Sequence, residues 1–103
     1  MELTGIAKLI FEQWFKQNQQ LCEFVNLTTF YKAHESMQWG IYQDFADTLG
    51  YHITNSFIGG SKPFCPDIDK NGRIIWEKDF KTRQEARKAA IEALNEIINL
   101  TGK

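Results

Sequence analysis

Hydrophobic residues recur at helical spacing in three segments of the chain. The first segment predicts an N-terminal helix through about residue 18, with one broad apolar face. The second predicts a helix over residues 37–49, with Ser36 as its N-cap and Gly50 as its left-handed C-cap. The third predicts a helix over residues 82–99. The repeating apolar positions are Leu3, Ile6, Ala7, Ile10, Phe11 and Trp14, then Met37, Ile41, Phe45 and Leu49, then Ala86, Ala89, Ala90, Ala93, Leu94 and Ile97.

The start of the third helix carries the most specific local signal. Thr82 and Glu85 fit the T-x-x-E capping box, in which side chains satisfy backbone amides of the first helical turn. Arg83, Arg87 and Lys88 lie on the first turns, where the helix dipole does not favour cations. Cations placed against this preference are either incidental or directed at a ligand.

Alternating apolar and polar residues predict three strands between the second and third helices. The strands cover residues 51–58, 64–69 and 73–80, and the Asn-Gly pair within the turn at residues 70–72 is a strong hairpin signal. Pro66 predicts that its strand is an edge strand or carries a bulge, because proline has no amide for the ladder.

The fold class that follows is α+β, a three-stranded antiparallel sheet packed by helices in the order α-α-β-β-β-α. In the last strand, Ile74, Trp76 and Phe80 share one face, which is the expected core side. The second and third helices are expected to cover the sheet, and the N-terminal helix to pack beside them or across a dimer interface. The path of residues 19–35 is left open, because their apolar residues fit both helical and strand spacing.

A chain of 103 residues is long enough for one hydrophobic core. We divide this single domain, residues 1–103, into an N-terminal helix and linker over 1–35 and an α-β-β-β-α core over 37–100. The formal charge of −1 does not favour a general polyanion binder. The charge is uneven, however, because residues 1–59 carry a net −3 and residues 60–91 a net +3. This asymmetry fits a local basic patch or head-to-tail self-association.

The N-terminus and the cysteines bear on the cellular location. The N-terminus lacks the basic start and uninterrupted apolar run of a signal peptide, and no later segment is long enough to span a bilayer. Cys22 and Cys65 are therefore expected to be reduced thiols. We predict a cytoplasmic protein without membrane contact, and we expect no cofactor.

From residue 37 onward, the order α-β-β-β-α resembles the double-stranded-RNA-binding domain. That family opens its final helix with a Ser-Lys-Lys-x-Ala-Lys-x-Ala-Ala pattern, whose lysines contact phosphates across the RNA major groove. The matching run here is residues 82–90. Arg83 and Arg87 keep two of the three basic positions, and Gln84 replaces the middle one.

Two other positions belong to this resemblance. Asp44 falls where the family's first helix offers a glutamate to the minor groove, and residues 59–63 take the place of its Gly-Pro-x-His loop without a histidine. The resemblance implies weak, shape-directed binding of duplex RNA by Arg83, Arg87 and Lys88, with Asp44 beside them.

The second helix also carries a Gln-Trp-Gly-x₃-Asp-Phe run. In it, Gln38-Trp39-Gly40 is followed by Asp44-Phe45. The chain looks like short uncharacterised proteins of bacterial mobile elements that share this run, and the likeness implies no function.

A polar segment at the predicted hairpin turn matches part of a calcium-binding loop. Asp67, Asp69 and Asn71 place oxygen ligands at positions 1, 3 and 5 of an EF-hand loop, and a glycine follows. Lys78 stands at the twelfth position, where a bidentate glutamate is expected. If a divalent metal binds anywhere, we expect these three residues to hold it weakly. A polar hairpin turn is the alternative interpretation.

The Pro-Asp pair at residues 66–67 and the Asp-x-Lys run at 79–81 resemble the PD-(D/E)xK nucleases. In that family, paired acids hold a divalent metal and the lysine orients water or phosphate. The expected hairpin would pair Asp67 with Ile75. Asp79 would then lie four residues further along, about 13 Å at roughly 3.3 Å per residue. A metal-dependent nuclease therefore ranks last among the functions considered.

The leading function is a non-catalytic binding or interaction protein of unknown specificity, because no catalytic motif is recognisable. Its expected partner is another protein or a second copy of the chain. Phe11, Trp14 and Phe15 widen the apolar face of the first helix beyond what one core obviously needs. A dsRNA-binding-like module is the first alternative, and a PD-(D/E)xK-like nuclease is the second.

Overall fold

The computed structural model describes residues 1–18 and 26–102. Within these residues, the chain forms an α+β fold in which helices pack on a three-stranded antiparallel sheet, as the sequence predicts. The elements are α1 (Gly5–Gln17), α2 (Leu27–Lys32), α3 (Glu35–Thr48), β1 (Tyr51–Phe57), β2 (Phe64–Lys70), β3 (Arg73–Glu77) and α4 (Arg83–Thr101).

The short helix α2 lies in the segment whose path the sequence left open. Asn26 caps it, because the side-chain oxygen accepts a hydrogen bond from the amide of Thr29 at 2.9 Å. Phe30 of this helix is fully buried in the core. Residues 19–25 of the open segment lie outside the described residues.

α3 begins at Glu35, two residues before the predicted start. The prediction of Ser36 as N-cap is therefore wrong, and His34 occupies that position. Its Nδ1 atom accepts a hydrogen bond from the Ser36 amide at 3.2 Å, which satisfies an amide of the first turn. Beyond the other end of the helix, Gly50 has a φ of 85°, the predicted left-handed conformation.

The sheet has the strand order β1-β2-β3. β1 and β2 pair along their whole length, and Phe57 at the end of one lies opposite Phe64 at the start of the other. β2 and β3 join through the predicted turn, in which Asn71 and Gly72 have φ values of 56° and 79°. Positive φ at both central residues is what a type I′ hairpin requires.

A β-bulge shifts the register between β2 and β3. Asp69 lies opposite Ile74, but Ile68 lies opposite Trp76, so Ile75 is the extra residue on β3. Ile74 is 53% exposed. The prediction that Ile74 lies on the core face is therefore wrong, because a period-two pattern assumes an unbroken ladder.

Pro66 lies in the central strand, neither in an edge strand nor at the bulge, so that prediction is also wrong. Its carbonyl oxygen accepts a hydrogen bond from the amide of Lys78 at 3.4 Å, so its backbone faces the β3 side. β3 has already ended at Glu77. Proline has no amide N–H to donate, but the partner it would bond lies past the end of β3. The regular hydrogen bonds between β2 and β3 are therefore unaffected.

α3 and α4 pack against one face of the sheet, as the sequence predicts. Ile53 and Ile68 lie opposite one another on this face, and both are buried. α1 lies against α3 and α4, so the N-terminal helix packs beside the other helices of its own chain. None of the described helices is both long and apolar enough to cross a lipid bilayer.

Asparagines of α4 hold the start of α1 in place. The Asn95 side-chain oxygen accepts a hydrogen bond from the Thr4 amide at 2.9 Å, and the Asn99 oxygen accepts one from the Ala7 amide at 2.9 Å. The first amides of a helix have no partner within the helix. α4 therefore supplies the cap that the Thr4 side chain itself does not provide.

The core of the same chain takes up most of the apolar face of α1. Phe11 and Phe15 are fully buried, and the Phe11 ring centre lies 4.9 Å from that of Tyr42. Trp14 is partly covered, with its ring centre 5.6 Å from that of Phe45. The width of this face therefore no longer gives a reason to expect an oligomer.

Phe11→Ala should destabilise the fold strongly. Truncation leaves a cavity among rings of three helices, so we expect the free energy of unfolding to fall by about 3–5 kcal/mol. Leu9→Ala is the matched control, because Leu9 lies on the same helix and is 65% exposed. Its effect should stay within about 0.5 kcal/mol. Urea denaturation followed by circular dichroism measures both changes, and equal losses would contradict the packing described.

The free energy of unfolding should fall as the pH rises above about 10, the ordinary pKa of tyrosine. Tyr42 is fully buried and donates its hydroxyl to the Met1 carbonyl oxygen at 2.8 Å. Burial, and then the charges of Glu2 and Glu12, raise the pKa of this hydroxyl. The unfolded chain loses the proton near pH 10, at about the ordinary tyrosine pKa. The folded chain keeps it, so the free energy of unfolding falls with rising pH.

Tyr42→Phe tests this pH dependence, since phenylalanine has no proton to lose. At neutral pH the free energy of unfolding of the variant should be about 1 kcal/mol lower, because the hydrogen bond to Met1 is lost. Above pH 10 its stability should fall less steeply than that of the parent chain. Denaturant titrations at neutral and alkaline pH compare the two slopes, and parallel slopes would show that Tyr42 ionises freely in the folded protein.

Candidate functional site

The core face of the sheet continues into a row of phenylalanines at one end. Phe57 and Phe64 lie directly opposite one another, with ring centres 5.5 Å apart. Phe80, beyond the end of β3, pairs with Phe64 through two backbone hydrogen bonds of 2.7 and 3.1 Å. Opposite residues of an antiparallel pair share one face. The three side chains therefore form one line across the sheet, which we call the phenylalanine row.

The phenylalanine row lies on the same face as the hydrophobic core but is much less covered. Phe57 and Phe64 are each four residues from a buried isoleucine of their strand, Ile53 and Ile68, and an even spacing keeps them on that face. Phe57 is nevertheless 69% exposed, and the adjoining Ile58 is 60% exposed. The helices therefore cover the middle of this face and leave its end open.

Asn55 separates the core from the phenylalanine row on β1. It lies opposite Pro66, and both atoms of its amide group are enclosed without a hydrogen-bond partner in the described part of the chain. A buried polar group without a partner destabilises the fold. The polar position also marks where the continuous apolar core ends.

Cations lie over two of the rings. The guanidinium carbon of Arg83 is 5.2 Å from the ring centre of Phe64, and the Lys78 Nζ atom is 5.8 Å from that of Phe80. Both distances are within the range of cation–π attraction. Arg83 is also exposed, so its remaining N–H donors face solvent. The row is therefore an aromatic surface with positive charge held against it.

The predicted cap of α4 fixes the position of Arg83, which is the first residue of that helix. The Thr82 hydroxyl oxygen accepts a hydrogen bond from the Glu85 amide at 3.1 Å and donates one to the Glu85 carboxylate at 2.9 Å. The Thr82 half of the predicted capping box is confirmed, whereas the Glu85 carboxylate accepts from the Thr82 hydroxyl, a side-chain group, and not from a backbone amide as the box predicts. The cap fixes the residue at which α4 begins. It thereby places Arg83, the first helical residue, over the ring of Phe64.

The loop between β1 and β2 brings Phe57 and Phe64 together. Gly59 and Gly60 have φ values of 81° and 88°, a region that residues with a side chain rarely adopt. The Ile58 amide donates a hydrogen bond to the Pro63 carbonyl oxygen at 2.7 Å and closes the loop. The glycines therefore let the chain reverse directly behind the exposed rings.

The segments that carry the phenylalanine row are positively charged. Residues 57–64 and 78–85 together contain four Lys or Arg residues and two Asp or Glu residues, although the whole chain has a formal charge of −1. Lys62 and Lys81 are exposed in these segments and adjoin the row in sequence. The segments that form the phenylalanine row therefore lie mostly within the part of the sequence that carries the net positive charge.

Arg87, one of the three cations singled out at the start of α4, is held in an ion pair. Its guanidinium donates hydrogen bonds to both carboxylate oxygens of Glu35, at 3.1 and 3.3 Å. The two side chains are 18% and 19% exposed. The pair therefore joins the start of α4 to the start of α3, and this arginine is committed to the fold.

The remaining predicted nucleic-acid contacts lie in different surroundings. Lys88 is exposed, but acidic residues line the shallow surface depressions to which it contributes. Asp44 is exposed on α3. Of the four predicted residues, only Arg83 has a contact with the phenylalanine row in the described part of the chain. The acidic residues beside Lys88 are Glu2, Glu35, Glu85 and Glu92.

Two of the three predicted metal ligands lie on the face of the sheet opposite the helices. Asp67 and Asp69 flank Ile68 on β2, so they point away from the core. Asn71 follows in the turn, and one Asp69 carboxylate oxygen is enclosed without a hydrogen-bond partner among the described residues. Across residues 1–18 and 26–102, no group of three His, Cys, Asp or Glu side chains could hold a metal ion. Weak metal binding there stays a prediction.

The bulge changes the geometry of the nuclease-like residues. Asp67 lies opposite Glu77, so the predicted pairing with Ile75 is wrong. Asp79 is therefore two residues further along rather than four, about 7 Å along the strand direction.

Partial burial, a hydrogen bond to the Asp79 carboxylate and nearby negative charges raise the pKa of the Cys65 thiol. A thiol that stays protonated is a poor nucleophile and a poor metal ligand.

Sequence reasoning did not single out Phe57 and Phe64 as functional residues. The available signal was their symmetric position, because each is the first aromatic residue on its side of a Gly-Gly loop. The pattern alone predicted that both strand ends alternate, and alternation assigns such residues to the core. Only the tertiary structure shows that Phe57 is left exposed and Phe64 half-buried.

Arg87→Gln should destabilise the fold, because it leaves the half-buried Glu35 carboxylate without its partner. We expect a loss of about 1–2 kcal/mol, between the values for exposed and fully buried ion pairs. Lys88→Gln is the matched control, because it removes the same charge from the exposed neighbouring position and should change stability by less than about 0.5 kcal/mol. Thermal and urea denaturation measure the difference. An equal effect of both variants would contradict a structural role for the Arg87 ion pair.

No protein-family model, curated protein or solved structure matches the chain. The candidate site is therefore identified from the geometry alone. It is defined by the phenylalanine row and the cations around it. An aromatic surface bordered by exposed cations can contact flat apolar groups and anionic groups at the same time.

Proposed function

We propose that this protein is a small non-catalytic binding protein that contacts nucleic acid through the phenylalanine row. The observation that carries the proposal is that the exposed ring of Phe57, the half-buried rings of Phe64 and Phe80 and the cations over them lie together at one end of the sheet. Nucleic acids present this combination of chemical groups, because every base has an aromatic face and every nucleotide carries a phosphate. The proposal needs no catalytic group.

The distribution of charge supports a local contact rather than a general one. The chain as a whole is slightly acidic, so it has no long-range attraction for polyanions. Arg83 and Lys78 lie over rings of the phenylalanine row, and the exposed Lys62 and Lys81 are close to the row in sequence. Binding is therefore expected to be weak and to need both kinds of contact.

Self-association receives less support from the fold. The widest apolar face in the sequence, on α1, is largely buried within the chain. Outside Phe57 and Ile58, the exposed large apolar residues in the described part of the chain are divided among four elements: Ile6 and Leu9 on α1, Met37 on α3, Ile74 and Ile75 on β3, and Leu100 on α4. Scattered exposed apolar residues are usual on soluble domains.

Lys62→Ala combined with Lys81→Ala should weaken binding to oligonucleotides. Each lysine that contacts a phosphate adds about 0.7–0.9 to the slope of log affinity against log salt concentration. The double variant should therefore bind more weakly at low salt and show a shallower salt dependence. Fluorescence anisotropy with labelled RNA and DNA, each single-stranded and as a duplex, measures both quantities.

The control is Lys16→Ala combined with Lys32→Ala, which makes the same change in net charge on α1 and α2. This variant should bind like the parent chain. Equal weakening by the two variants would mean that net charge, not the phenylalanine row, governs binding. If the parent chain binds no oligonucleotide at low salt, the proposed function is wrong.

A further inference from the structure

We infer that the phenylalanine row takes single-stranded nucleic acid, with an unpaired base stacked on Phe57 and a phosphate held by Arg83. This inference rests on the proposed function and makes it specific. It assigns different tasks to the two neighbouring rings. The assignment follows from what already covers each ring and from what the rest of α4 can offer.

Phe57 offers a free aromatic face. Its side chain is 69% exposed, and its described ring contact is with Phe64 alone, at an interplanar angle of 71°. The two rings therefore meet edge to face, and a side chain that is 69% exposed keeps most of its ring surface open to solvent. A base can stack on such a surface only when its own face is exposed. In a duplex each base is stacked between its neighbours, so an unpaired base is required.

Phe64 serves as the support for a cation. The Arg83 guanidinium lies over its ring at 5.2 Å, which holds the long side chain in one place. A guanidinium that stacks on a ring keeps its N–H donors free around its edge, and their fork geometry matches phosphate oxygens. Arg83 is therefore positioned to bind the phosphate of a nucleotide whose base lies beside it on Phe57.

The rest of the α4 start is poorly suited to a duplex backbone. Arg87 is already paired with Glu35. Between Arg83 and Arg87, the neutral residue Gln84 takes the place where the resembled family has a third basic residue. Lys88 lies among acidic side chains. The start of α4 therefore leaves few free cations to follow two strands of phosphates, whereas Arg83 on the phenylalanine row suits contact with a single strand.

The test compares single-stranded and duplex probes on the intact chain. Labelled oligouridine and oligothymidine of about 12 nucleotides cover a typical single-strand site, and a mixed-sequence duplex of the same length is the comparison. We expect the single strands to bind at least about ten-fold more tightly than the duplex. Phe57→Leu, which keeps an apolar side chain but removes the ring, should weaken single-strand binding about ten-fold. Phe57→Trp should retain it.

Leu100→Ala is the matched control, since Leu100 is also an exposed apolar residue but lies at the end of α4. It should leave both affinities unchanged. Circular dichroism checks that each variant folds. The retained affinity of Phe57→Trp shows that the ring, rather than the particular residue, is required.

Each other outcome has a separate meaning. No binding to any oligonucleotide overturns both the proposed function and this inference. Equal binding of single strands and duplex, insensitive to Phe57→Leu, leaves the proposed function standing and overturns the stacking assignment. If polyglutamate displaces the single strand as effectively as unlabelled oligouridine, the site recognises acidic polypeptide and the inference is wrong.

Discussion

The direct pairing of three antiparallel strands is the constraint on which the rest of the structure depends. Opposite residues of paired strands share a face, so the pairing decides which residues line the core side of the sheet. Ile53, Ile68 and Trp76 form the row beneath the helices. The next row passes through Asn55 and Pro66, and the last is the phenylalanine row. The sheet thus changes from core to polar boundary to exposed aromatic surface within a few residues.

The bulge at Ile75 is what keeps these rows aligned beyond the hairpin turn. The two-residue turn sets one register, and the extra residue shifts β3 by one position, so that Trp76 meets Ile68 and Phe80 meets Phe64. Without that shift, Trp76 and Phe80 would pair with residues on the opposite face. Ile74 precedes the extra residue and keeps the register of the turn, opposite Asp69, so it lies on the outer face and is exposed.

The helices decide how far the core extends. α4 starts at a fixed residue because Thr82 caps it, and the Arg87–Glu35 pair ties its first turns to α3. α1 adds the aromatic contacts of Phe11 and is itself held by asparagines of α4. At one end of the sheet Phe57 is 69% exposed, so the helices do not cover the end of β1. An exposed phenylalanine is tolerated at this edge because it lies outside the packed interior.

The sequence by itself determined the α+β class, the hairpin turn and the cap at Thr82, because these depend on local periodicity and on residues with particular backbone preferences. It could not place the β-bulge, put Pro66 in the central strand, or show that Arg87 is paired with a glutamate 52 residues away. It also assigned Phe57 no role, because alternation gives the face of a strand residue but not what covers that face. Register shifts, ion pairs and coverage arise between segments that are distant in sequence. Only the tertiary structure could decide them.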